Sequence, residues 1–305
     1  MFVVGSVRSG TTLVRLILDH HSQIHGIGEF ETAVSQAKGT DWPDLQEFYH
    51  FLETDRQSLA HNFDIDRSLS YEGLIHSFLE QKQASYTGTI SLGAVHSRFD
   101  LLPSLWPNAR YIHVVRDPRD VARSCVKMGW AGNVFTGAET WREAETRWDL
   151  LRAQTDEPRR MEVRYERFVS DPREVCTEIC NFLGVDFEPA MLTSEASSTY
   201  GETDDRYANQ WRGKLAHREV GWVEAQCAEL MKSRGYELMS APESLPRYQV
   251  ASLRIHSRLA RIVFNVEKFG FWLWLRWVVM KRLSWLPGYR KVQLQVNRVV
   301  TSGLR

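Results

Sequence analysis

The chain opens Met1-Phe2-Val3-Val4-Gly5-Ser6-Val7-Arg8-Ser9-Gly10-Thr11-Thr12-Leu13: an apolar run, a loop between two glycines, and the start of an apolar helix. Residues 1–4 have the continuous apolar character of a strand buried on both faces. Gly5 and Gly10 are spaced as in the Walker A loop G-x4-G-K-[ST], with Thr11 where that motif has its lysine. A strand, a glycine turn and a helix N-terminus together present backbone N–H groups and a positive dipole end to an anion. Ser9, Gly10, Thr11 and Thr12 therefore form a candidate phosphate site, and Arg8 adds a cation from within the loop. The absent lysine is the group that reaches the β- and γ-phosphates of a nucleoside triphosphate, which argues against the alternative of a P-loop kinase.

Working outward, three further apolar, β-branched runs occupy residues 90–95, 111–115 and 161–165, and helical patterns occupy 11–19, 117–128 and 173–183. This alternation predicts an α/β, P-loop-type three-layer fold with a central parallel sheet flanked by helices. Residues 34–80 are mixed and polar and read as helices and loops inserted after the first unit. The Ser/Thr/Asp-rich stretch 194–207 reads as a mobile loop. Asp117-Pro118-Arg119-Asp120 and Asp171-Pro172-Arg173-Glu174 share one helix-start chemistry: an aspartate to cap, a proline at the first helical position, and a carboxylate to reach back to free N–H groups.

With these residues in view, Gly5 to Leu18 resembles the 5′-phosphosulfate loop of sulfotransferases that use 3′-phosphoadenosine 5′-phosphosulfate (PAPS). The segment from Arg116 to Ser124 is similar to that family's second diagnostic segment, a strand ending in arginine and a helix with serine eight residues on. The resemblance implies that Arg116 and Ser124 hold the 3′-phosphate, for which a planar guanidinium fork is suited. Tyr165 resembles the family's adenine contact, although core or capping duty suits it equally. Gln210-Trp211-Arg212-Gly213-Lys214-Leu215 resembles the final basic loop, which implies a 3′-phosphate contact from Arg212 or Lys214. A third, looser match is Val163-Arg164-Tyr165-Glu166-Arg167-Phe168, running into Phe182-Leu183-Gly184-Val185, and the three segments come in the family's order across residues 1 to about 240. They imply sulfuryl transfer from PAPS, without a metal, to a hydroxyl or, less readily, an amine of a small-molecule, glycan or lipid acceptor.

Such a transfer needs a base for the acceptor and cations for the charge that builds on the leaving bridge oxygen. Arg8 and the loop N–H groups meet the second need. Glu29, in Ile27-Gly28-Glu29-Phe30-Glu31, stands as far from Arg8 as the catalytic glutamate of tyrosylprotein-type sulfotransferases, and Glu31 is its competitor. Where related enzymes carry a lysine after the next strand, this chain has Gly93-Ala94-Val95-His96-Ser97-Arg98-Phe99. His96 is thus a candidate acid, or the base as in cytosolic phenol and steroid sulfotransferases. The lost lysine also favours a third reading, a non-catalytic nucleotide-binding protein of the same fold. Residues 128–133 are expected to line the acceptor pocket, and Trp141 and Trp148, seven apart, read as core.

The 305 residues are 43% apolar and 25% charged, which excludes a disordered or collagenous chain. Equal totals of 38 basic and 38 acidic residues conceal a partition. From Pro246 onward there are 12 Lys and Arg and one acid, Glu267, leaving 26 basic and 37 acidic residues before it. We therefore divide the chain into a sulfotransferase-like domain, 1–245, and a basic, Trp-rich helical extension, 246–305. In 253–269, apolar residues at 259, 262, 263, 266 and 269 lie largely apart from Arg254, Arg258, Arg261 and Lys268, an amphipathic pattern. The apolar run 271–280 is too short to span a bilayer. The extension either rests peripherally on an anionic membrane or packs on the body or on a second copy, with arginines pairing across the join. Four scattered cysteines read as reduced thiols. With no leader expected ahead of the first strand, the protein is expected in the cytoplasm, or at a membrane surface under the first reading of the extension. No nucleic-acid partner is expected.

Overall fold

Phe2 and Val4 face one side of the sheet and Val3 the other, and all three are buried. Strand β1 (Phe2–Val4) therefore lies at the centre of a two-sided core. The computed structural model describes residues 1–84, 86, 88–193, 207–239, 244–283 and 288–302. The stretch read as a mobile loop lies, apart from Tyr207, outside the described residues. Strands β2 (Ile24–Glu29), β3 (Ile90–Val95), β4 (Tyr111–Val115) and β5 (Arg160–Arg164) complete a parallel sheet of order β2-β3-β1-β4-β5.

The body's main helices are α1 (Thr11–Leu18), α2 (Leu45–Leu52), α3 (Arg56–His61), α4 (Tyr71–Gln83), α5 (Pro118–Lys127), α6 (Val134–Gln154), α7 (Pro172–Leu183) and α8 (His217–Ser233). On one face of the sheet, Phe2 and Val4 pack with Phe48 of α2, Phe78 of α4 and Trp148 of α6. On the other, Val3, Ile112 and Val114 pack with Leu18 of α1 and Ile179 of α7. The three-layer α/β fold is the one expected. Trp148 is buried and stacks on His113 with ring centroids 4.3 Å apart, while Trp141 is buried with Nε1 donating to the Arg116 carbonyl at 2.8 Å.

One strand carried no signal in the sequence, and two local readings need correction. Strand β2 had no apolar signature because it is an edge strand containing His25, Gly26 and Gly28. Its register shifts between Gly26 and Gly28, a bulge that places Gly28 at φ 89°. Asp117 does cap α5, accepting from the Arg119 amide at 2.9 Å, but Asp120 does not reach back. Its Oδ1 accepts instead from the Trp211 amide at 2.8 Å. Asp171 makes no side-chain cap, because α7 follows directly on the short helix Tyr165–Ser170 and the Asp171 amide is bonded to the Arg167 carbonyl at 2.8 Å.

The extension forms α9 (Arg247–Phe269), α10 (Phe271–Arg282) and α11 (Gly288–Ser302). Two of these helices contact the body. On α9, Leu253 and Ser257 are buried: Ser257 Oγ accepts from the Gly132 amide at 2.9 Å, and Asn133 Nδ2 donates to the Leu253 carbonyl at 2.7 Å. Arg254 pairs with Glu139 at 3.2 Å. On α11, Val292 and Val296 are buried and Asn297 Nδ2 donates to the Thr54 carbonyl at 2.9 Å. Between them, Trp277 of α10 donates to Gln293 of α11 at 2.9 Å. The body contact is thus made, but not by the apolar residues singled out for it, since Leu259, Ile262 and Val263 are exposed. Among the described residues no helix is long and apolar enough to cross a membrane.

Candidate functional site

The loops that follow the five strands converge on a cleft of about 1330 Å³ at the carboxyl edge of the sheet, where open parallel sheets bind ligands. Local chemistry fixes the loop after β1. Gly5 lies against the Val114 carbonyl, and Gly10 has φ 96° with its Cα hydrogen side facing Tyr165, so that a Cβ there would fall 2.6 Å from the ring's Cε2. No side chain caps α1, which leaves the amides of its first turn directed at the cleft. Ser9 Oγ is buried without a protein partner.

Arg116 stands at the end of β4. Its guanidinium lies 4.1 Å from the Tyr165 ring centroid, donates to the Arg8 carbonyl at 3.2 Å and to the Tyr207 carbonyl at 2.6 Å, and keeps Nε buried without a partner. Arg8 Nε donates to Ser124 Oγ at 2.9 Å. Arg8, the loop, Arg116, Ser124 and Tyr165 thus form one cluster. Asp120 lies behind it, 3.9 Å from Arg116; burial pushes its carboxyl above the ordinary range although Arg116 opposes the shift.

The second half of the cleft is built by β2, β3 and α3. Gln57 of α3 donates to the Glu29 carboxylate, and His61 bonds the Glu29 carbonyl at 2.8 Å. His96, one residue past β3, has Nε2 4.0 Å from Glu29 Oε1 and Nδ1 3.4 Å from both Thr11 Oγ1 and the Gly5 carbonyl. The imidazole therefore spans the distance between the phosphate loop and Glu29. Glu31 is committed elsewhere. It accepts from the His96 amide and from Ser97 Oγ at 2.6 Å, and burial raises its pKa. It braces the turn that carries His96.

Arg212 and Lys214 are not brought to the cleft. Both are exposed on the short helix Trp211–Lys214, and Arg212 lies 4.6 Å from the Trp211 ring. The reason is the anchoring of Trp211, which is held by Asp120 through its amide and covered by Arg119 at 3.7 Å, so that the residues after it turn to solvent. Of residues 128–133, Met128 and Trp130 line the cleft, whereas Gly132 and Asn133 seat α9. Arg123 and Gln57 line it without having been anticipated. Arg123 lies seven residues after Arg116, two turns along the same face, a spacing that could have found it; Gln57 had no signal. Arg119 belongs to the scaffold. It is buried, makes a two-point contact with Asp117 at 2.9 and 2.6 Å, and bonds Glu224 at 2.9 Å.

Comparison with known proteins gives the arrangement a context. Residues 1–189 match the model of a family described as "Sulfotransferase family". The chain is similar to carbohydrate sulfotransferase 1 of Danio rerio, 24% identical over 188 residues, covering 47% of this chain and 42% of that protein. It is also similar to a putative protein-tyrosine sulfotransferase of Caenorhabditis briggsae, 26% identical over 206 residues, covering 63% and 68%. The chain spans about half the length of the carbohydrate sulfotransferases it matches first. Among solved structures, a sulfotransferase domain from the curacin biosynthetic pathway has the same fold, with TM-score 0.55 and 21% identity over 78% of this chain and 97% of that one.

Proposed function

The chain belongs to the sulfotransferase family, and from that membership we propose that it transfers a sulfuryl group from PAPS to a hydroxyl of a small-molecule or carbohydrate acceptor. The observation that carries this reading is the convergence of two anion sites and an acid–base pair in one cleft. The uncapped first turn of α1 with Arg8 suits the phosphosulfate, and Arg116 with Ser124 suits the 3′-phosphate. The residues fit such a donor: Arg116, which lines the cleft, keeps Nε buried with no protein partner, and a bound anion would satisfy it. At about 1330 Å³ the cleft exceeds the 300–1,000 Å³ common for one ligand, which leaves room for an acceptor beside the nucleotide.

In the reaction, the acceptor oxygen bonds to sulfur as the bond from sulfur to the bridging phosphate oxygen breaks. Glu29 takes the acceptor's proton, held for that task by Gln57. Arg8 and the loop amides receive the charge on the departing phosphate. His96 stands where relatives carry lysine; with Nδ1 beside Thr11 and Nε2 toward Glu29, it orients the base and faces the leaving side. The names of the carbohydrate sulfotransferases, together with a cleft wall bearing Asp55, Arg56, Gln57 and Trp130, support a polyhydroxylated acceptor. Four buried, unpaired cysteines support a reducing compartment, and we assign the enzyme to the cytoplasm.

The desulfonated product nucleotide is the first probe. It should raise the melting temperature of the wild type, and Arg116→Ala should abolish the rise; no rise with the wild type refutes the donor assignment. Glu29→Gln should keep the nucleotide shift and lose about 10²–10⁴ in transfer of labelled sulfate to a responsive acceptor. Unimpaired turnover would remove Glu29 from the base role.

A further inference from the structure

Successive residues of a helix advance by about 100°, so the faces of α9 can be laid out directly. Leu253, Ser257 and Phe264 form the side that meets the body. Tyr248, Ile255, Leu259, Ile262 and Val263 fall within an arc of roughly 100° on the opposite side. All five are exposed, Tyr248 by 78% and Leu259 by 59%. Arg247, Arg254, Arg258, Arg261 and Lys268 fall in an adjoining arc of roughly 80°, and all are exposed, Arg254 while paired with Glu139 of the body at 3.2 Å. Glu267 lies on the other flank. Where α9 turns into α10, Phe271 and Trp272 are exposed by 50% and 74% and add apolar surface. An amphipathic helix ordinarily turns its apolar stripe inward. This one turns it to solvent, with a ribbon of cations along one border.

We infer that this face docks on the surface of an anionic lipid bilayer. The apolar stripe enters the boundary between headgroups and acyl chains while the arginine ribbon meets lipid phosphates, an arrangement suited to interfacial helices. A second copy of the chain is the poorer occupant. Antiparallel pairing of this stripe with itself would bring two such ribbons together, and any pairing would bring together two extensions that each carry 12 basic residues and one acid. The opposite, body-facing side of the same helix adjoins the cleft wall. Phe264 lies against Gly129, where a Cβ would fall 2.6 Å from the ring's Cζ, and the next residue, Trp130, lines the cleft. Lipid docking would therefore hold the cleft close to the bilayer surface whatever the acceptor is.

The test is co-sedimentation of the full chain with vesicles of phosphatidylcholine alone and of phosphatidylcholine mixed with phosphatidylglycerol. The protein should pellet with the mixed vesicles and not with the neutral ones, and added salt should release it. Arg258→Ala/Arg261→Ala should weaken partitioning roughly thirtyfold, and Leu259→Glu/Ile262→Glu should abolish it. Both pairs are exposed, and unchanged melting temperatures would verify that the fold persists. The inference is overturned if the wild type stays in solution with mixed vesicles or binds neutral vesicles equally well. It is also overturned if the lipid-free protein is a dimer that Leu259→Glu/Ile262→Glu converts to monomer, for then a second copy covers the stripe. None of these readouts depends on sulfuryl transfer.

Discussion

Alanine at position 10 would meet two separate obstacles, and their sizes can be worked out. At φ 96° an L-residue is in a sparsely populated region, a cost of about 1–3 kcal/mol. The added methyl would lie 2.6 Å from Cε2 of Tyr165, a buried ring already covered by Arg116, and overpacking of this kind costs about 1–3 kcal/mol more. Gly10→Ala should therefore destabilise by about 2–6 kcal/mol, and at roughly 2–4 °C per kcal/mol the melting temperature should fall by on the order of 10 °C. Tyr165→Ala alone should cost about 3–5 kcal/mol. In the double variant the methyl occupies space the ring has vacated, so the two losses should fall short of their sum by about 1–3 kcal/mol. Urea denaturation of the four proteins, followed by far-ultraviolet circular dichroism, measures this cycle. Additivity within about 0.5 kcal/mol would refute the claim that Tyr165 rests on Gly10 and would assign the entire cost to the backbone.

Arg119→Met should destabilise by about 3–5 kcal/mol, because Asp117 and Glu224 would remain as buried carboxylates without their cation; denaturation midpoints check this, and a loss under 1 kcal/mol would contradict it. Burial pulls the pKa of His113 down, but the charges and hydrogen bonds of Glu145 and Glu162 outweigh it and leave the pKa above 6.5. Its contribution to stability is thus complete below about pH 6.5 and is lost as pH rises through the higher folded value, so His113→Gln should flatten the alkaline fall of the urea midpoint, and an unchanged slope would refute the assignment. Ser257→Ala should cost about 1–3 kcal/mol by stranding the Gly132 amide, with proteolysis at residues 246–252 accelerated in step.

The parts of the architecture that were legible in the sequence are those where one physical requirement dominates. Residues 2–4 and 111–115 are buried on both faces and must be apolar, so β1 and β4 announced themselves. The phosphate loop was equally open to reading because Gly5 answers to the Val114 carbonyl and Gly10 to the Tyr165 ring, close contacts that a side chain would crowd. Strand β2 was hidden, since an edge strand with a bulge has no need of an apolar run, and with it went the reason Glu29 points into the cleft. The proximity of His96 to Glu29 at 4.0 Å is a product of the parallel pairing of β2 with β3, across 67 residues of chain, and no local pattern encodes it. Arg212 and Lys214 stand away from the cleft for a complementary reason. Their neighbour Trp211 is drawn into the body by Asp120 and Arg119, a tertiary anchor that fixes the direction of a loop without marking its sequence.

The attachments of the extension bear on the mechanics of the cleft. A chain of bonds runs from Trp277 through Gln293 and Asn297 to the Thr54 carbonyl, one residue before Asp55, which lines the cleft. At the other end, α9 grips Gly132, Asn133 and Thr136, next to Trp130, which lines it too. The extension is therefore a tie rod anchored to two elements of the cleft wall that are some 80 residues apart in sequence. Breathing of the cleft that separates these elements must break an anchor or flex the rod, so its compliance is governed by residues that never touch a reactant.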